Sequence, residues 1–401
     1  MGALPGDKMD TNASTTAFAL PGGQSILSSA SVDIQMPMAA QILAERLGRS
    51  DLDCTLLFAS PEADTKAFAE MASGVFRPGK VLGCTSAGEI DSTGYTHGKV
   101  LGVGLPRSHF RTASIAFTEG EAHSTGALVR KILTARSRLN REAPDWPHEF
   151  AILLIDGTKL REDEMMARVA SALGPVPLVG ASIGCAEAEE PAMVFGSDGT
   201  GHGAVLLQVR TRCPVRTFRT DHFHPTSRRM VVTRADPERR LALEINGVPA
   251  AREYARLLRL DPETLTEADF TANPLVVRVG TDHHVRAIRC ATPEGALQFH
   301  SALGEGMVLT VAAGEEMVMH LERELAALSL PVAPEMILTF DSLLRRLEAT
   351  RSNRLASLSR ILTRRRVRGL STTGEQQGGM HMNHTMTGLA IYAPGTTRGP
   401  R

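Results

Sequence analysis

Aromatic side chains are scarce in this chain, 4% of residues with Trp146 the only tryptophan, which leaves few stacking platforms for single-stranded nucleic acid. Net charge is missing too. Forty-four basic and 44 acidic side chains cancel to a formal charge of zero, so the global balance favours neither nucleic acid nor an anionic membrane surface. Lysine itself is rare, six of the 44 basic residues. The five cysteines, Cys54, Cys84, Cys185, Cys213 and Cys290, are an odd number with no CxxC pair among them. That pattern argues against a disulfide framework or a structural zinc site and fits a reducing compartment, and without CxxCH there is no covalent haem attachment. No run approaches the roughly 18 apolar residues that span a bilayer. The first thirty residues also lack the basic start and apolar core of a signal peptide, so a cytoplasmic protein without membrane insertion is expected.

What is present is a globular composition, 42% hydrophobic and 22% charged, in a chain long enough for two or three domains. Residues 1–30, rich in Gly, Ala, Ser and Thr, read as a flexible leader, with order beginning at a helical pattern over 38–47. Two stretches then say the same thing. An apolar run at 54–58, a helical segment at 65–71 and a second run ending in Gly83-Cys84-Thr85-Ser86 are matched by 151–155, 162–173 and Leu178-Val179-Gly180-Ala181-Ser182. Aligning Leu56 with Leu153 and Gly83 with Gly180 gives equal spacing, so an internal duplication is expected, with a pseudo-symmetric pair of sheets and helices outside. After residue 225 strands and helices alternate again, with Asn246-Gly247 as a strong hairpin turn. The expected fold class is α/β: an internally duplicated N-terminal region of mixed sheets with outer helices (31–225), a second α/β region (226–393) and a tail (394–401).

Chemistry has several candidate homes. The loop Gly83-Cys84-Thr85-Ser86-Ala87-Gly88 follows a strand and can present backbone N–H groups to an anion, but Glu89 stands where a phosphate loop needs lysine. GxSxG is absent, so a hydrolase nucleophile elbow has no support. His222 and His224, two apart, are spaced to share a strand face; His283 and His284 fall in a turn facing solvent. Nine arginines and only two acids, Asp341 and Glu348, lie between residues 341 and 368, and a solvated basic face or an acidic partner explains them. The densest stretch is 369–390, with five glycines, one carboxylate, side-chain amides, two imidazoles and five hydroxyls. Glycine there lets a ligand approach the main chain.

The motifs Leu82-Gly83-Cys84-Thr85-Ser86-Ala87-Gly88-Glu89-Ile90, Leu178-Val179-Gly180-Ala181-Ser182, Phe340-Asp341-Ser342-Leu343-Leu344-Arg345-Arg346 and Gly374-Glu375-Gln376 through Asn383-His384-Thr385-Met386-Thr387-Gly388 resemble the FIST family over about residues 35–393. The resemblance implies an intracellular sensory module of bacterial signal transduction that binds small ligands such as amino acids. It also implies kinship with a branch of haem-binding nitric oxide sensors acting on histidine kinases or cyclic-di-GMP enzymes. Two positions depart from the family: Thr373 replaces an aromatic and Ser342 a cysteine. On this reading the protein is not an enzyme. Glu375 suits a ligand amino group, Gln376 and Asn383 a carboxylate, and Thr385, Ser86, Gly83 and Gly180 complete the ligand-binding set. In the haem version His381 or His384 is the axial ligand, and no other metal is expected. Two alternatives stand beside it: a hydrolase with Cys84 or Cys185 as nucleophile, and an interaction scaffold built on the arginine-rich helix.

Overall fold

The structure, a computed structural model, describes residues 25–184, 192–196 and 198–396. Most of the expected leader, Cys185 and the last five residues lie outside them. Order begins before the helical pattern: Ser28–Asp33 is already a strand, and the helix follows at Ala39–Leu47.

Every residue of Leu52–Ala59 is buried, as befits a strand covered on both faces. The helix Thr65–Val75 follows, its first turn capped by the Asp64 carboxylate on the Ala67 N–H, and buries Phe68, Ala69 and Ala72. The chain returns through Lys80–Thr85, parallel to the first strand, and Lys99–Pro106 pairs antiparallel on the other side. His148–Asp156, the helix Glu162–Leu173, the parallel Leu178–Ile183 and the antiparallel Ala204–Thr211 repeat that unit.

The unit occurs a third time, where the sequence led us to expect two copies. Met336–Ser342 and Val367–Thr372 are parallel, Met386–Ile391 pairs antiparallel, and two helices, Leu343–Arg351 and Leu355–Arg364, fill the crossover. One glycine marks each copy. A Cβ on Gly83, Gly180 or Gly369 would lie 2.1, 1.9 or 1.9 Å from the backbone oxygen of Leu57, Leu153 or Thr339, so the parallel strands approach each other at a point that admits only glycine. The strand register aligns Leu57, not Leu56, with Leu153, which moves the expected alignment by one residue.

Each unit also lends a hairpin to another unit's sheet. Glu89–Asp91 with Gly94–Thr96 extends the third sheet at Val367–Thr372, Val194–Gly196 with Gly199–His202 extends the first at Lys80–Thr85, and Gly374–Gln377 with Met380–Met382 extends the second at Leu178–Ile183. The result is three six-stranded sheets of matching order, completed at their far edges by Ser28–Asp33, Phe110–Phe117 and Val215–Thr220. Their inner faces share one core, including Phe58, Leu82, Ile152, Leu154, Leu338 and Phe340, and each outer face carries its own helices and apolar cluster.

A fourth sheet interrupts the third unit. It opens with Phe223–Asp236 and closes with Val308–Gly314, around a separate core that includes Met230, Tyr254, Phe270 and Leu309. Asn246 and Gly247 both take positive φ, 53° and 80°, as the tight hairpin requires. The hairpin of Leu275–Val279 and Asp282–Arg286 is tighter than expected. His284 is therefore a buried strand residue with the Arg219 guanidinium on its Nδ1 at 2.9 Å, not a solvated turn residue. Among the described residues no helix is long and apolar enough to cross a membrane.

Candidate functional site

The C-terminal stretch folds inward. Glu375 accepts hydrogen bonds from the Thr385 N–H at 3.1 Å and the Thr385 hydroxyl at 3.0 Å. Gln376 Nε2 donates to Ser182 Oγ at 2.9 Å, and Asn383 Nδ2 to the Thr373 carbonyl at 3.2 Å. Glu89 occupies the corresponding place in the first unit's hairpin, accepting from Ser86 Oγ at 2.5 Å and the Lys99 N–H at 3.3 Å. The correspondence follows from register: Glu89 and Glu375 each sit one residue before the partner of a strand glycine, Gly369 and Gly180. Burial pushes the Glu89 carboxyl up to about 7 and that of Glu375 well above the carboxylate range. Both are internal hooks that tie a hairpin to the start of its returning strand. Of the expected ligand-binding set, Glu375, Gln376, Asn383, Thr385 and Ser86 are buried and each makes a bond to a neighbouring residue, Glu375 Oε1, Gln376 Oε1 and Asn383 Oδ1 are buried without a partner, and Gly83 and Gly180 lie at strand contacts.

His384 belongs to a second buried group. Its Nε2 lies 2.8 Å from Glu348 Oε2, and His222 Nε2 lies 2.8 Å from the other oxygen. Arg345 bridges His222 Nδ1 at 3.3 Å to Asp341 at 2.9 Å, and Tyr95 donates to the same aspartate at 2.5 Å. A guanidinium only donates, so it fixes the His222 tautomer: Nδ1 accepts, and Nε2 carries the proton given to Glu348. Burial alone would raise Glu348, but the two imidazole hydrogen bonds outweigh it and hold the carboxyl at about 2. Burial, in turn, lowers His222. His224 is exposed, so the two histidines do not share a face. Arg346, Arg351, Arg354, Arg364, Arg365 and Arg368 likewise engage Ala87, Glu267, Glu316, Glu322 and Ser29, and the arginine-rich segment is largely consumed by internal contacts.

An open site lies beside these groups. A cleft of about 480 Å³ is walled by Lys159 and Arg161 at the end of a strand of the second unit, by Arg239, Arg240, Arg289 and His300 of the fourth sheet, and by Thr373 and His381 of the C-terminal stretch. Its place beyond the carboxyl ends of His148–Asp156 and Leu178–Ile183, where chain segments diverge, is the usual ligand position in parallel sheets. Glycine shapes the floor: a Cβ on Gly157 would lie 2.7 Å from the Gly184 oxygen, and Gly184 itself takes φ 69°. Arg240 is held at φ 56°, a conformation costly for a residue with a side chain, and its guanidinium pairs with Glu162 across the cleft. The His381 ring faces Ser182 Oγ at 3.4 Å and occupies the space a Gly374 side chain would fill. Burial and the neighbouring Arg289, His381 and Arg240 lower His300 to about 4. A larger hollow of about 760 Å³ on the fourth sheet involves neither the strand ends nor the C-terminal stretch.

These positions do not suit haem. His384 Nε2 is engaged by Glu348 and neither hollow reaches it. His381 does face the cleft, but five cationic side chains line that space where a porphyrin needs apolar walls. Sequence reasoning singled out Thr373 as a departure and His381 as a candidate. It missed Lys159, Arg161, Arg239, Arg240, Arg289 and His300, whose sole local signal is the Arg239-Arg240 pair after the turn-forming Asp236-Pro237.

The cleft thus lies where an N-terminal and a C-terminal region of the fold meet. The chain matches the FIST N domain over residues 53–248 and the FIST C domain over residues 250–377, and it belongs to the FIST family, whose domains sense small ligands in signalling proteins. No curated protein matches it. Among solved structures it is similar to a chorismatase crystal structure, at 9% identity and a TM-score of 0.34, over 91% of this chain and 98% of that one.

Proposed function

We propose that this protein is a non-enzymatic cytoplasmic sensor that binds a small ligand in the cleft between the second unit, the inserted sheet and the C-terminal stretch, and passes the signal to a partner such as a histidine kinase or a cyclic-di-GMP enzyme. The observation that carries the reading is the lining itself. Three separate parts of the chain meet at one small-molecule-sized space, within the range of natural ligand pockets, so a ligand that contacts all three biases their relative arrangement. A ligand shifts such an equilibrium only by its preference for one arrangement, and contact with the insertion supplies that preference. His222 stands where the chain enters the fourth sheet, and its bond to Glu348 links that entry to the third unit.

A cysteine hydrolase finds less support. Cys84 is fully buried and burial pushes its thiol far up, which leaves no thiolate to attack; Cys185 lies outside the described residues.

The test is a thermal-shift screen of small metabolites, amino acids included, against the wild type and Gln298→Trp, which fills the cleft from its wall. A compound that raises the Tm of the first and not the second supports the sensor. Equal shifts in both, or none, overturn it. A visible spectrum after haemin titration belongs in the same experiment, and an intense Soret band lost in His381→Ala would favour haem instead.

A further inference from the structure

We infer that the outer face of the inserted sheet receives the signalling partner, and that it takes an acidic segment of that protein carrying apolar side chains. The inference rests on the sensor reading and names the partner's chemistry. Strand register places Arg229, Val231, Val308, Thr310, Arg278 and His283 on one face, because residues two apart on a strand share a face and paired residues lie side by side. The opposite face is sealed by the core around Met230 and Leu309. Toward the third unit the outer face is covered too, where Val276, Val285 and Ala312 pack on Phe223 and Leu344. Farther out it is open, and the hollow of about 760 Å³ lies there, with Arg229, Arg278, His283, Val308 and Thr310 in its lining.

Two features of the open half point to a protein segment. Val231 and Val308 are paired partners on interior strands of the sheet, and both are exposed. Solvent-facing positions of an antiparallel sheet are normally polar, and exposed apolar side chains rimmed by charge mark docking surfaces. The rim is cationic and unspent. Among the described residues no carboxylate pairs with Arg229, Arg278 or His283: Arg278 Nε donates to the Gly280 carbonyl at 3.0 Å, within its own turn, and the neighbouring Asp282 lies 3.6 Å from the Arg219 guanidinium. The one carboxylate in the lining, Glu305, accepts the Ala235 N–H at 3.3 Å. Arginine holds carboxylates through paired hydrogen bonds, and here neither guanidinium has to leave an ion pair first. A chain of zero net charge draws polyanions weakly, which favours a segment whose carboxylates meet two arginines and whose apolar side chains cover two valines over nucleic acid or anionic lipid. The face is also placed to report on the cleft. The strand Phe223–Asp236 carries Arg229 and runs on to Arg239 and Arg240 in the cleft wall, and His300 of that wall leads into Gly304 of the hollow. A ligand that moves the inserted sheet against the core therefore moves both places, and each binding event changes the other's affinity by the same factor.

Fluorescence anisotropy of the full chain with three labelled ten-residue peptides, one alternating Glu with Leu, one Lys with Leu and one Glu with Ser, tests the inference. The Glu/Leu peptide should bind saturably, tighter than either control by about ten-fold or more, and weaken as salt is raised. Arg229→Glu combined with Arg278→Glu should reverse the preference toward the Lys/Leu peptide without loss of Tm, because both side chains are exposed. Val308→Ser should weaken the Glu/Leu peptide and leave the Glu/Ser peptide unchanged. Absence of saturable Glu/Leu binding, or binding indifferent to the double charge reversal, overturns the docking face, and a compound that protects the wild type but not Gln298→Trp would then still uphold the cleft. Tighter binding of a single-stranded oligonucleotide or a phosphatidylserine vesicle, lost in the double variant, overturns the protein segment in favour of that surface, and self-association lost in the same variant assigns the face to a second copy instead. Peptide binding as expected with no compound separating wild type from Gln298→Trp overturns the sensor reading and leaves a plain docking face.

Discussion

Burying a carboxyl group costs far more when it is ionised than when it carries its proton, and Glu89 records that cost. Its folded value of about 7 lies above the unfolded 4.5. Below pH 4.5 the group is protonated in both states and its contribution is fully present; as pH rises through 7 the unfolded chain releases the proton first, and on the order of 3 kcal/mol of stability is lost. Glu89→Gln keeps an oxygen for the Ser86 hydroxyl and removes the titration. The stability of the variant relative to the wild type should therefore climb between pH 5 and pH 8 in urea denaturation. Comparing the two proteins matters, because His284 and His300, both held at about 4, contribute stability that is lost in the opposite direction, as pH falls from 6.5 toward 4. Those contributions cancel in the difference. A gap between variant and wild type that does not move with pH would show that Glu89 titrates normally.

At the scale of the element, the parallel strand pairs are held at glycines with no room for a methyl group. Gly180→Ala puts a Cβ 1.9 Å from the Leu153 oxygen, and backbone cannot swing away as a side chain can, so the cost should reach or exceed the 1–3 kcal/mol typical of overpacking. Gly126, in the helix Thr125–Glu142, meets nothing within 4 Å, and its change to Ala should stabilise by up to about 1 kcal/mol. Opposite signs in chemical denaturation confirm the contrast; equal effects would mean that the strands relax. The same glycines made two of the three units legible before any coordinates, since apolar run, helix and Gly-x-Ser or Gly-x-Thr recur in order. Gly369-Leu370-Ser371 carries the same ending. It escaped notice because two helices replace one in its crossover and the fourth sheet separates its edge strand, Val215–Thr220, from the rest. The cleft was less legible still. Lys159 and Arg239 meet only because the insertion folds back over the second unit, and no local spacing encodes that meeting. The C-terminal stretch was visible as chemistry, but Glu375 and Asn383 each turn one polar atom to neighbouring backbone and leave another buried without a partner, and residue type alone does not say which way a side chain points.

Across the whole molecule, the exchange of hairpins makes the three units interdependent. The first sheet is incomplete without Val194–Gly196 from the second unit, the second without Gly374–Gln377 from the third, and the third without Glu89–Asp91 from the first. Releasing one unit strips strands from two sheets and exposes the shared core, so partial unfolding of a single unit gains little conformational entropy for the contacts it gives up. The fourth sheet differs, with its own core around Tyr254 and Phe270. Native-state hydrogen exchange should therefore divide the chain in two. Amides of Leu52–Ala59, His148–Asp156 and Met336–Ser342 should converge on one opening free energy as denaturant is added, and those of Leu241–Ile245 and Leu275–Val279 on a separate, lower one, the behaviour of two cooperative units. A saturating cleft ligand should raise the protection of the second group most, because the inserted sheet forms the wall of the cleft that the ligand ties to the core. Three distinct opening energies for the three central strands would refute the interdependence; protection confined to the core strands would place the ligand away from the insertion.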